Sequence, residues 1–163
     1  MCKILILLLF LIPLLSCKTG EPETQKLFIH GKTEWTYAMY MAADNNLERF
    51  SLKNIKEIKE NLDSQKINFV VLLDRANGYD KTEGNWTDTK ILELNSGTEI
   101  NDDIILELGE KDTTDISTLN EFLEFVTKYY PSEKFALNIW SHGFGVYPDC
   151  KIFYESRSLI QDY

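Results

Sequence analysis

The chain predicts an α/β protein, a sandwich built on a mainly parallel sheet, and three observations carry that prediction. Short apolar runs of strand character recur at Trp35–Ala43, Ile67–Asp74 and Phe135–Trp140. Between them lie segments whose apolar residues fall at helical spacing among Lys and Glu. Each run then stops abruptly, at Asp44-Asn45-Asn46, at Asp74 and at Ser141-His142-Gly143. Parallel neighbours need a crossover, and helices that make the crossovers also cover the sheet, so strands and amphipathic helices alternate along such a chain.

The amino terminus departs from this pattern. Met-Cys-Lys is followed by the apolar run Ile4–Leu15, by Ser16-Cys17 and then by a polar segment. The run is too short to cross a bilayer, for which about 20 residues are needed, and suits a signal peptide over residues 1–16. Leu14-Leu15-Ser16-Cys17 resembles the bacterial lipobox, so Cys17 is expected to be lipidated. The expected product is an exported lipoprotein, anchored in a membrane of a bacterial cell envelope. An ordinary secretory signal with an incidental cysteine is the alternative. With Cys2 discarded and Cys17 lipidated, Cys150 is the only thiol left, which excludes an intramolecular disulfide. Residues 17–34 read as a tether, with His30 as a surface histidine lacking an obvious partner.

Trp35–Ala43 is the first strand. Asn45 or Asn46 caps an amphipathic helix over about 47–62, whose apolar residues Leu47, Phe50, Ile55, Ile58 and Leu62 fall near helical spacing. Ile67–Asp74 is a second, buried strand, and a right-handed crossover makes the two strands parallel. Thr87–Leu94 and Ile104–Leu108 suggest a small hairpin at the sheet edge. Asp115 or Ser117 caps a second helix carrying Leu119, Phe122, Leu123, Val126 and Tyr130, which Pro131 ends. Phe135–Trp140 follows as a buried strand covered on both faces, delivering His142 to a loop that Gly143 and Gly145 allow to turn sharply. Lys151–Ile160 suits one further strand.

A length of 163 residues suits one domain, and 44% hydrophobic with 26% charged residues is ordinary globular usage. The formal charge of −9, with no run of Lys or Arg, argues against nucleic acid as a partner, because phosphates need neutralising. His142 is the best candidate for proton chemistry, since imidazole titrates near neutrality, and Gly143 leaves its N–H open to a substrate oxygen. A packed loop histidine is the bland alternative. Asp44-Asn45-Asn46 together with Asp74 offer oxygens to a hard cation, or else simply cap helices. They leave calcium open without assigning it; no cofactor is otherwise implied and no metal site is assigned, there being no Cys/His spacing for zinc. Gly143-Phe144-Gly145 lacks the third glycine of a dinucleotide loop, and a nucleotide-binding domain would also want a phosphate loop. The acids of Glu107–Asp115 read as a solvated loop and a cap. Cys150, eight residues after His142, invites a Cys/His dyad, although Asp149 beside it disfavours a thiolate.

Two longer segments carry more than pattern. Trp35-Thr36-Tyr37-Ala38-Met39-Tyr40-Met41-Ala42-Ala43-Asp44-Asn45-Asn46-Leu47-Glu48 and Ala136-Leu137-Asn138-Ile139-Trp140-Ser141-His142-Gly143-Phe144-Gly145, with Val70–Asp74 and Leu119–Phe122 between them, resemble the clostripain family of cysteine peptidases from Trp35 to about Gly145. The resemblance implies a caspase-like α/β/α sandwich and a secreted endopeptidase that cuts protein or peptide substrates after Arg or Lys. It makes His142 the catalytic histidine and the Gly143 N–H an oxyanion donor. The family nucleophile lies on a later strand, in an Asp-Ala-Cys type motif a few tens of residues after the histidine. Cys150 stands too close to His142, Asp149-Cys150 lacks the intervening residue, and Ser156–Asp162 resembles the next family strand only faintly. Residues 35–163 are therefore expected to be the amino-terminal part of such a domain, apparently truncated, without the family nucleophile and inactive as given. An open sheet edge and uncovered apolar surface are expected to follow. A non-catalytic surface lipoprotein that uses the same fold as a binding module is the alternative.

Overall fold

A computed structural model describes residues 27–143 of the chain. The expected signal peptide, Cys17, Cys150 and Lys151–Ile160 lie outside the described residues. Within them run β1 (Thr33–Ala43), α1 (Glu48–Asn61), β2 (Ile67–Arg75), β3 (Thr89–Glu93), β4 (Ile104–Gly109), α2 (Ile116–Tyr129) and β5 (Ser132–Trp140). The five strands form one sheet in the order β4-β3-β2-β1-β5. β1 pairs in parallel with both β2 and β5, while β3 is antiparallel to its two neighbours. β4 therefore runs the same way as β2, and the sheet is mainly parallel, as the alternation of elements predicts.

The helices take opposite faces. Alternate residues of β1 and β2 point to opposite sides. Met39, Met41, Val71 and Leu73 pack with Leu52 and Ile55 of α1. Ala38, Tyr40, Val70 and Leu72 pack with Phe122 and Val126 of α2. The crossover through α1 moves one way along the sheet and that through α2 moves the other way. Placing the two helices on opposite faces gives both crossovers the same hand. Asp115 caps α2, its side chain accepting the Ser117 N–H at 2.9 Å. Neither asparagine expected to cap α1 holds the N-cap position, which is Leu47 without a side-chain cap bond; Asn45, three residues before the helix, instead accepts the Leu47 N–H at 2.9 Å.

Two expectations need correcting. β5 is not covered on both faces: it is an edge strand of the described sheet, and Phe135, Leu137 and Ile139 are 43%, 40% and 43% exposed. The cause is the placement of α2, whose core cluster draws on β1, β2 and β3 and contains no residue of β5. His30 is not partnerless either. Its backbone N–H donates to the Tyr129 carbonyl at 2.8 Å, its ring stacks on Tyr130 at 4.4 Å, and its Nε2 lies 3.4 Å from Glu93 Oε2. Burial next to the Glu93 carboxylate pushes the Tyr130 phenol well above its usual value.

Candidate functional site

Because β1, β2 and β5 are parallel, their carboxyl ends open on one edge of the sheet, where side chains from separate strands converge. A cavity of about 760 Å³ lies there, lined by Asp44, Asn45 and Asn46 after β1, by Ala76, Asn77 and Tyr79 after β2, and by His142 after β5. Reactive groups at such strand ends sit on rigid elements but reach open space.

Asn45 ties the three elements together. It is buried, and its Nδ2 donates to the Ala42 carbonyl at 3.0 Å and to Ser141 Oγ at 3.5 Å, while Oδ1 receives the Leu47 N–H. The end of β1, the start of α1 and the end of β5 are thereby held by one side chain. Asn46, next to it, is exposed, and its Oδ1 lies 2.6 Å from His142 Nε2. The end of β5 has a second tether, since Trp140 Nε1 donates to Asn54 Oδ1 of α1 at 3.1 Å. Gly143 is exposed, and a Cβ built there would meet nothing within 4 Å.

The loop that follows the cavity-lining residues after β2 is held differently, by a buried ion pair. Arg75 Nε donates to Glu48 Oε1 at 2.6 Å, and both side chains are fully buried. The same guanidinium donates to the carbonyls of Asp80 (2.9 Å), Thr82 and Glu83 (3.4 Å each), and lies 4.7 Å above the Trp86 ring. Five donors in a planar fork let one arginine organise a loop in this way. The loop needs holding, because Glu83 and Asn85 both take positive φ, at 54° and 53°, a region unfavourable to residues with a Cβ. Lys56 pairs with Glu83 at 2.8 Å, and that hydrogen bond raises the lysine above its usual value. Hydrogen bonds from the Thr82 hydroxyl and N–H hold Asp80 below the usual carboxylate range, with help from Arg75.

The candidate residues divide accordingly. His142 and the Asp44-Asn45-Asn46 group meet in the cavity. Asp74 is buried and receives the hydroxyls of Thr89 at 2.7 Å and Thr113 at 3.4 Å; it does not line the cavity with Asp44, so the structure does not assemble the cation ligands that the sequence suggested. Cys150 lies outside the described residues, and so do Cys2 and Cys17. Sequence reasoning missed Arg75, Glu48, Tyr79 and the bond from His142 to Asn46. An arginine directly after the strand-end acid was the one available signal; its partner lies 27 residues earlier in the chain.

The clostripain family profile matches residues 39–163. The clostripain of Hathewaya histolytica is 29% identical over 141 residues, which cover 78% of this chain and 25% of that protein. The chain thus spans about a quarter of the length of this curated relative. A Bacteroides fragilis cysteine protease shares the fold with a TM-score of 0.54 at 21% identity, over 71% of this chain and 94% of that one. A secreted C11 cysteine protease of Bacteroides thetaiotaomicron, solved with an irreversible peptide inhibitor, gives 0.54 at 20% identity over 72% of this chain and 32% of that one.

Proposed function

Because the chain belongs to the clostripain family, we propose that it supplies the acid–base part of a cysteine endopeptidase site, with His142 as the proton-transfer group and the Gly143 N–H as an oxyanion donor. The observation that carries this reading is the position of His142, at the carboxyl end of β5 in the cavity bounded by the ends of β1 and β2. A thiolate attacks the acyl carbon, the Gly143 N–H steadies the oxyanion, and imidazolium gives its proton to the departing amine as the C–N bond breaks. Water then releases the acyl group. Proton transfer of this kind contributes about 10²–10⁴-fold, and one oxyanion donor about 10²–10³-fold. The substrate is a protein or peptide cut after Arg or Lys, a specificity that rests on the family resemblance.

The thiolate comes from outside residues 27–143, which hold no cysteine. Cys150 does not match the family spacing, so these 163 residues are expected not to hydrolyse peptides by themselves. Cys17 carries a lipid that anchors the exported protein to a membrane. The lipobox-like segment supports this, and fatty-acid labelling that persists in Cys17→Ala would refute it.

The test uses the complete gene product that contains this chain, assayed on Arg and Lys amides. His142→Ala is expected to lower kcat by about 10²–10⁴-fold. Unchanged turnover in that variant would remove His142 from the mechanism. Hydrolysis by residues 1–163 alone that disappears in Cys150→Ala would overturn the assignment of the nucleophile elsewhere.

A further inference from the structure

We propose that Asn46 is a positioning residue that holds His142 in the Nε2–H tautomer, so that Nδ1 is the nitrogen that moves the proton. The inference rests on the reading of His142 as the acid–base group and adds which of its atoms acts and what selects it. The contact is short, 2.6 Å from His142 Nε2 to Asn46 Oδ1. An amide oxygen has no proton to give, so the hydrogen in this bond belongs to Nε2, and a neutral imidazole protonated there keeps its lone pair on Nδ1. Both partners are held by bonds other than the one between them. Asn46 stands between buried Asn45, tied to Ala42, Leu47 and Ser141, and the first turn of α1. His142 follows Trp140, whose indole is bonded to Asn54 of α1.

The proton balance is then definite. Nδ1 takes the thiol proton to give thiolate and imidazolium, and it returns that proton to the amine nitrogen when the C–N bond breaks. Nε2–H stays on Asn46 Oδ1 throughout. An amide carries no charge, so it orients the ring without adding the attraction by which a carboxylate would hold on to the imidazolium.

The test reads the imidazole directly in the ¹⁵N-labelled chain. His30 is the only other histidine, and His142→Gln assigns the two rings. At about pH 8.5, where an ordinary imidazole is neutral, long-range ¹H–¹⁵N correlations report the tautomer. The Nε2–H form is expected to dominate. In Asn46→Leu its ratio to the Nδ1–H form should fall about five-fold, the worth of one net hydrogen bond. Asn46→Asp, which keeps an oxygen acceptor, should retain the Nε2–H form. Unchanged His30 signals confirm that Asn46→Leu, at an exposed site, keeps the fold. An unchanged tautomer ratio in Asn46→Leu, or a dominant Nδ1–H form in the parent chain, overturns the proposal. In the complete gene product Asn46→Leu should lower kcat about ten-fold or more at unchanged KM, with recovery in Asn46→Asp. A five-fold tautomer shift alongside undiminished turnover in His142→Ala would support the contact while sinking the catalytic reading beneath it.

Discussion

β2 and β5 flank β1 on either side, run parallel to it and are both nine residues long, yet they live in different environments. β2 is buried from Asn68 to Arg75, under α1 on one face and α2 on the other. β5 contributes Trp140 to the α1 side and nothing to the α2 cluster. The contrast is sharpest at Tyr40, which pairs in register with Leu72 on one side and Ile139 on the other. Leu72 is 0% exposed and Ile139 43%. Burial here follows from where a helix lies over the sheet, since both side chains are apolar and of similar size.

The ends of the two strands differ as well. β2 is closed by a buried ion pair and a loop gathered around Arg75, whereas β5 is closed by single hydrogen bonds to Asn54, Asn45 and Asn46. The largest expected effect therefore lies on the β2 flank. Arg75→Met should cost about 3–5 kcal/mol in urea unfolding, because it strands the Glu48 carboxylate in the core. The double variant with Glu48→Gln should recover part of that loss, and a fully additive double variant would break the assignment. Next, Leu72→Ala should cost about 2–5 kcal/mol and Ile139→Ala less than about half as much. Equal costs would mean that β5 is as enclosed as β2 and would erase the contrast. Trp140→Phe should cost about 0.5–1.5 kcal/mol, the net value of its bond to Asn54. A smaller loss in Asn54→Ala than in Trp140→Phe would locate the effect in ring packing instead.

The smallest effect lies in the turn that leads α2 onto the β2 flank. Asp112 accepts the Thr114 hydroxyl at 2.6 Å and the Thr114 N–H at 2.8 Å, which holds its carboxyl below the usual range. A carboxyl lowered by folding stabilises the protein above its unfolded value of about 3.9, and the contribution fades as pH falls through the lower folded value. Thr114→Val should thus destabilise at neutral pH and converge with the parent in acid. Thermal melts that stay equally far apart across that range would contradict it.

Much of the framework was legible because hydrophobic period and capping chemistry are local. The first helix reads from Ile55 and Ile58, although Phe50, counted with them, is 40% exposed while Leu52, left out, is buried, and Asp115 announces the second. The parallel pairing of β1 with β2 followed from the helix that connects them in a right-handed crossover. His142 stood out because an apolar run delivers it to a glycine, and the clostripain resemblance rested on contiguous residues. The exposure of one face of β5 was not legible in Phe135–Trp140 itself, since six apolar-rich residues look the same whether a helix covers them or not. Nor was the docking of His30, whose partners Tyr130 and Glu93 are distant in sequence.

The sequence by itself determined the elements, the family and the presence of a histidine at a strand end, since each is written in neighbouring residues. Only the tertiary structure decided that this histidine meets Asn46 across a separation of 96 residues, that Asp74 turns away into a pair of threonines, and that Arg75 gathers the loop that follows β2 around a buried ion pair. Those outcomes depend on strand order and register, which bring residues remote along the chain to the same edge of one sheet.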